Sequence, residues 1–180
     1  MMNMDRRLFL KFGAVAAAGL MMPNQLFGMG ETEDFRSLSF YNIHTGESLR
    51  TTYWEEGIYI PEALEEINHL LRDYRTGEAM PMDRGVIDLL YAIRTKTGNT
   101  KPFRIISGYR SPKTNAMLNK NTSGVAKKSL HMQGKAIDIN LPGTQLADLR
   151  KVAMHLKSGG VGFYPKSGFV HVDVGRVRYW

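Results

Sequence analysis

The sequence predicts an α+β domain with a mostly antiparallel sheet and its helices grouped on one side. Three observations predict this. Strand-like runs come in pairs at both ends of the chain, helical apolar periodicity fills much of the stretch between them, and 180 residues with 43% hydrophobic content can bury a sizeable core. With 23% charged and 10% aromatic residues, wholesale disorder is excluded. The absence of cysteine excludes disulfide scaffolds and cysteine-based zinc fingers. A multispan membrane protein is excluded as well, because the only long apolar run lies at the extreme N-terminus.

Residues 1–30 read as an export signal. Arg6, Arg7 and Lys11 make a basic start, and the alanine-rich stretch from Ala14 to Met22 is too short to span a bilayer comfortably before Pro23 closes it. The paired arginines followed by Phe9, Leu10 and Lys11 resemble the twin-arginine signal, which is read by a receptor. Gly28-Met29-Gly30 offers small residues to a signal peptidase. The expectation is therefore a mature domain over 31–180, delivered to the periplasm by the twin-arginine translocase and keeping no membrane span. The alternative is an amphipathic first helix docked on the domain.

Residues 36–42 and 48–54 are strand-like and joined through His44-Thr45-Gly46-Glu47, which predicts a β-hairpin. Pro61 then opens a helix in which Leu64, Ile67, Leu70, Leu71 and Tyr74 recur at helical spacing. Glu62, Glu65 and Glu66 lie near its positive end, and Gly77 is expected to stop it. Asp83 caps a second helix with the apolar stripe Val86, Leu89, Leu90 and Ile93, ending near Gly98. Phe103 to Ser107 is a short strand, Gly108 and Ser111-Pro112 turn the chain into a third helix, and 119–128 is a polar, basic loop. Ala136 to Asn140 is another strand. Thr144 is expected to cap a fourth helix running to about Lys157, which Gly159-Gly160 breaks. Val161 to Tyr164 and Phe169 to Val174 close the chain as a hairpin around Pro165-Lys166-Ser167-Gly168.

The net charge is +7, and removal of residues 1–30 leaves about +5 on the mature domain. No run interleaves Lys or Arg with aromatics, so nucleic acid is not the expected partner. Anionic cell-wall polymer or lipid headgroups fit an exported basic domain better, and a merely soluble basic surface is the plain alternative.

Two segments carry the chemistry: Ser129-Leu-His131-Met-Gln-Gly134-Lys-Ala136-Ile-Asp138-Ile, and Phe169-Val-His171-Val-Asp173. Strand alternation puts Ala136, Asp138 and Asn140 on one face and Ile137 and Ile139 on the other. Likewise Phe169, His171 and Asp173 oppose Val170, Val172 and Val174. A sheet face that collects imidazole and carboxylate suits a divalent transition metal such as zinc. With neutral His131 and His171 and one negative charge from Asp138, such a site keeps about one positive charge to acidify water. Spacing alone leaves each histidine open to a core or surface role instead. His155 and His69, inside helix patterns, read as structural, and His44 as a turn residue.

The string Ser129-x-His131-x-x-Gly134-x-Ala136-x-Asp138, followed by His171-x-Asp173 on a strand, resembles the D-alanyl-D-alanine metallopeptidase family, whose fold is shared with the hedgehog signalling domain. Residues from about Leu38 to Trp180 resemble the murein endopeptidase subgroup of that family. The motifs that carry this are His44-Thr-Gly-Glu47, Asn68-His69, Arg72-Asp-Tyr-Arg75, Ile106-Ser-Gly-Tyr-Arg-Ser111, Gly124-Val-Ala-Lys-Lys-Ser129 and Gly159-Gly-Val-Gly162. The resemblance implies that His131, Asp138 and His171 hold one zinc ion and that Arg110 steadies the scissile carbonyl as it becomes an oxyanion. It implies that Ser129 touches substrate or the ligand shell. Without it, Arg110 reads as a turn arginine and Ser129 as a loop former. One departure stands out: many family members carry Asp or Glu three residues before the third ligand as general base, and here that residue is Gly168. Asp173, roughly 6.6 Å along the strand from His171, is expected to orient a ligand or, second, to act as the base.

The function this implies is an exported, zinc-dependent hydrolase of peptidoglycan cross-links beside meso-diaminopimelate. Lys120, Lys127 and Lys128 precede the first ligand, and Lys128 above all is a candidate to hold substrate carboxylates; a solvated charged loop is the alternative. The rivals are a peptidoglycan-binding module that holds metal without catalysis, and a D,D-carboxypeptidase.

Overall fold

The computed structural model describes residues 34–122 and 125–180, and the export signal expected over 1–30 lies outside them. β1 (Phe35–Asn42) and β2 (Ser48–Glu55) form the expected antiparallel hairpin, and β3 (Ile58–Tyr59) adds a short antiparallel edge to β2. The other strands are β4 (Phe103–Ser107), β5 (Ala136–Asn140), β6 (Gly160–Tyr164), β7 (Phe169–Asp173) and β8 (Arg178–Tyr179). They join one sheet in the order β3-β2-β1-β4-β5-β7-β6-β8. Only the β1–β4 and β6–β8 pairings are parallel. The expected α+β class with a mostly antiparallel sheet is what forms.

Alternation along β5 and β7 divides the sheet into a core face and a polar face. Ile137, Ile139, Val170 and Val172 are fully buried, and they cluster with Val86, Leu90 and Ile93 of α2 (Arg84–Thr97) and with Leu149 and Ala153 of α4 (Leu146–Leu156). Each such side chain contributes roughly 1.5–3 kcal/mol by leaving water. Because that face must point at the helices, Asp138 and His171 are forced onto the opposite one. Among the described residues no helix is long and apolar enough to cross a membrane.

α2 begins as expected, with the Asp83 side chain accepting the Gly85 N–H at 2.9 Å. α3 (Pro112–Asn121) starts at the Ser111 cap and runs three residues into the stretch expected as loop. Two helices differ more from expectation. α1 (Pro61–Leu70) ends well before Gly77, because Asp73 offers the backbone other partners. Its carboxylate accepts the Ser111 and Arg75 N–H groups at 2.9 and 3.0 Å, and its carbonyl accepts that of Gly77 at 2.7 Å. Tyr74 therefore leaves the helix and stacks on His44, with ring centroids 3.8 Å apart. In α4 the cap position falls to Gln145, without a side-chain bond, while the Thr144 hydroxyl accepts from Asn99 at 2.8 Å. Lys157, at φ 52°, ends that helix, and Gly160 already belongs to β6.

Candidate metal centre

His131 comes from a 3₁₀ turn, Leu130–Gln133, capped by the Ser129 hydroxyl, which accepts the His131 backbone N–H at 3.3 Å. Its ring Nδ1 lies 2.8 Å from the Gly108 carbonyl. A carbonyl can only accept, so Nδ1 carries the proton and Nε2 keeps its lone pair. The same turn holds the next segment in place: the Arg110 backbone N–H donates to the His131 carbonyl at 3.2 Å, and the Tyr109 N–H to the Leu71 carbonyl at 2.8 Å.

Asp138 and His171 sit directly opposite each other across the antiparallel β5–β7 pair. His171 Nε2 lies 3.0 Å from Asp173 Oδ2 and donates to that carboxylate, while Nδ1 faces Asp138; without a metal both nitrogens carry protons, and a metal at the centre would take the place of the Nδ1 proton. His171 Nδ1 is 2.8 Å from Asp138 Oδ1 and 3.2 Å from His131 Nε2, and His131 Nε2 is 3.3 Å from Asp138 Oδ1. Three potential ligand atoms from three segments thus converge, all within 4.8 Å of one another. Burial works against a charged His171, but the carboxylates of Asp138 and Asp173 prevail and push its pKa up to about 9. Burial likewise works against a charged Asp138, yet His131 and His171 hold it well below the ordinary carboxylate range. The arrangement calls for a positive charge at its centre, and two imidazoles with one carboxylate are a donor set that suits zinc.

Asp173 lies behind His171 with no exposed surface. Its Oδ1 accepts from the backbone of Gly160 and Gly175, both at 2.9 Å, and from Arg178 at 3.1 Å. Its Oδ2 accepts from His171 and, at 2.6 Å, from Arg178. Burial works to raise its pKa, and these donors hold it well below the usual range. A carboxylate filled by five donors and closed to solvent is built to orient the imidazole.

Arg110 stands on the other side of the centre, its guanidinium 3.7 Å from Asp138 Oδ2 and steadied by Asn115 at 3.4 Å and Ser107 at 3.3 Å. Arg110, Lys128 and Ser129 line the same cleft as the three donors. Among the described lining residues Asp138 is the one carboxylate. Gly168 adopts φ +74° in the β6–β7 turn, and its carbonyl accepts from Asn140 at 2.9 Å. His44, His69 and His155 are exposed and do not line this cleft.

The sequence reading missed Arg178, Tyr164 and Trp180. Arg178 and Trp180 belong to or follow a two-residue strand, too short to show alternation, and the Gly108 acceptor is a main-chain atom that no side-chain pattern reports. The signal that was available is the pair Gly160 and Gly162, at alternate positions of a strand, marking a face that something approaches closely.

A family described as peptidoglycan L,D-endopeptidase MepK matches residues 30–180. The Escherichia coli K12 protein named peptidoglycan L,D-endopeptidase MepK is 42% identical over 176 residues, covering 98% of this chain and 97% of that protein. A Haemophilus influenzae protein named probable peptidoglycan L,D-endopeptidase MepK is 38% identical over 179 residues, covering 99% and 96%.

Proposed function

The chain belongs to the MepK family of peptidoglycan L,D-endopeptidases, and from that premise we propose that it hydrolyses peptide cross-links of peptidoglycan at a zinc site formed by His131, Asp138 and His171. Convergence of three potential ligand atoms, with the outer nitrogen of each imidazole tied to an acceptor, supports this reading. Zinc held there supplies Lewis acidity, which acidifies water and polarises an amide carbonyl. In the reaction the amide C–N bond breaks, the carbonyl carbon gains the hydroxyl of water and the leaving nitrogen gains its proton.

The chain's own groups divide the remaining work. Arg110, fixed by Ser107 and Asn115, donates to the carbonyl oxygen as negative charge develops on it. Asp173 keeps the proton of His171 on Nε2 so that Nδ1 faces inward. Ser129 shapes the turn that aims His131, and Lys128, exposed at the rim, takes a substrate carboxylate. Residues 1–30 act as a twin-arginine signal, and the domain over 31–180 works in the periplasm.

The test is digestion of purified cross-linked muropeptide dimers, separately L,D- and D,D-linked, by the mature domain and by His131→Ala and Asp138→Ala, with bound metal measured by emission spectrometry. The wild type is expected to cut L,D-linked dimers with one zinc per chain, and both variants to lose metal and activity together. Dimers that bind but stay uncut would establish the rival favoured by Gly168, a binding module without catalysis. Release of terminal D-alanine alone would establish a carboxypeptidase.

A further inference from the structure

Trp180 combines two properties that rarely coincide. It is 45% exposed, yet it is fixed at every end. Its backbone N–H donates to Val161 at 3.2 Å, its carbonyl accepts from Phe163 at 3.0 Å, and its indole Nε1 donates to the Tyr164 hydroxyl at 2.7 Å. The Arg178 guanidinium lies 5.0 Å from the ring centre. Beneath it runs Gly162, where a Cβ would come within 2.7 Å of the indole carbons Cε2 and Cζ2. A side chain that merely fills the core would be covered, and one that merely hangs in solvent would need neither a side-chain-free seat nor three hydrogen bonds.

The held ring faces the site already described. Gly162 pairs with His171 across β6–β7, and the indole centroid lies 5.3 Å from the His171 ring. The apolar surface continues through Tyr164 and Phe169, which pair across the same hairpin and stack with centroids 4.6 Å apart at 19°. All three aromatic rings line the cleft that holds the metal donors, and Arg110 and Lys128 line it as well. Rigid aromatic rings provide contact area while losing little side-chain entropy on binding.

We propose that Trp180, seated on Gly162 and continued by Tyr164 and Phe169, is a specificity-determining wall on which the unbranched aliphatic side chain of the residue adjoining the cut amide packs, its carboxylate being taken by Lys128. The proposal rests on the hydrolase reading for the word "cut", but the binding it describes does not. A short unbranched chain ending in charge matches the cleft: methylenes against the rings, and a charged end at Lys128.

The chain has two tryptophans, so Trp54→Phe, on β2 away from the cleft, leaves Trp180 as the sole indole reporter. The probes are a stem tripeptide with meso-diaminopimelate as third residue and the same peptide with alanine there. Trp180 emission is expected to titrate with the first at least ~10-fold more tightly than with the second. In steady-state digestion of muropeptide dimers, Trp180→Ala is expected to raise KM about 10-fold with kcat within about threefold of wild type. Trp180→Phe should recover most of that loss, and Gly162→Ala, which keeps the indole but displaces it, should resemble Trp180→Ala. Equal affinity for the two tripeptides, or an unchanged KM in Trp180→Ala, overturns the proposal. If the wild type cuts nothing, the hydrolase reading fails while the fluorescence titration still decides whether the wall exists.

Discussion

Replacing Asp173 by asparagine separates an orienting carboxylate from a catalytic base. The substituted side chain keeps one oxygen for the Gly160 and Gly175 N–H groups, and so turns its NH2 toward His171 Nε2 and Arg178, both of which are donors. His171 can relieve that conflict only by giving up the Nε2 proton and keeping the one on Nδ1, the atom that faces His131 and Asp138. The proton then occupies the position a metal needs, so zinc affinity is expected to fall 10- to 100-fold. Loss of the buried partner of Arg178 also destabilises the metal-free fold. The range for such a loss is about 3–5 kcal/mol, and because the Arg178 side chain is 31% exposed and can be rehydrated, the low end, ~3 kcal/mol, is expected. Competition with a chromophoric chelator at pH 7 measures the first quantity, and urea unfolding in excess chelator the second. An orienting role predicts that saturating zinc brings kcat back to within about tenfold of wild type, whereas loss of a base costs roughly 10²–10⁴ at any zinc concentration. Wild-type zinc affinity combined with that large loss of kcat would refute the orienting role.

Other outcomes follow from the same geometry. Asp73 is buried, which works to raise its pKa, but the hydroxyls of Thr114 and Ser111 and the backbone of Ser111 and Arg75 hold it below its ordinary 3.8. A depressed folded value means that its stabilisation is complete above about pH 4 and is lost as pH falls through the folded pKa, so acid unfolding should be less steep in Asp73→Asn; equal slopes in urea titrations at pH 2–5 would count against this. Gly168→Asp, which places a carboxylate three residues before His171, is expected to lower stability by about 1 kcal/mol because φ +74° is left-handed, and to leave kcat no higher than wild type; a rate gain would show that the turn can deliver a base. Ile137→Ala, in a fully buried site between β7 and the helices, should cost ~2–5 kcal/mol in denaturant unfolding, and a loss under 1 kcal/mol would mean that the core collapses around it.

What the sequence made legible was whatever rests on period and local chemistry. The β5 and β7 alternation placed Asp138 and His171 on one face and their apolar neighbours in the core, and Asp83 and Ser111 cap their helices as their types suggest. The end of α1 was not legible, because what stops it is the Asp73 carboxylate bonding to Ser111, far along the chain. Thr144 looked like a cap for the reason Thr usually does, but Asn99 competes for its hydroxyl. The donor set was readable while its orientation was not. The tautomer of His131 is set by a main-chain carbonyl at Gly108, and that of His171 by a carboxylate whose own partner, Arg178, sits on a strand too short to have a pattern.

The division of labour in β6 explains why the donors come from its neighbours. Its Val161 and Phe163 face the core cluster, so alternation leaves Gly160 and Gly162 on the face that looks toward the site. At Gly160 a Cβ would lie 2.5 Å from Asp173 Oδ2 and from Arg178, and at Gly162 it would meet the Trp180 ring, so any donor placed on β6 would displace the groups that hold His171. The strand contributes space instead, and the functional atoms are supplied by β5 and β7 and by the turn at His131. Because Asp138 and His171 share those two strands with Ile137 and Val172, a defect in the core shifts the donor atoms, whereas a change in the donors leaves the helices packed. In the metal-free protein, core variants should therefore lower stability and also weaken metal binding, whereas ligand variants weaken metal binding while leaving the metal-free fold nearly as stable.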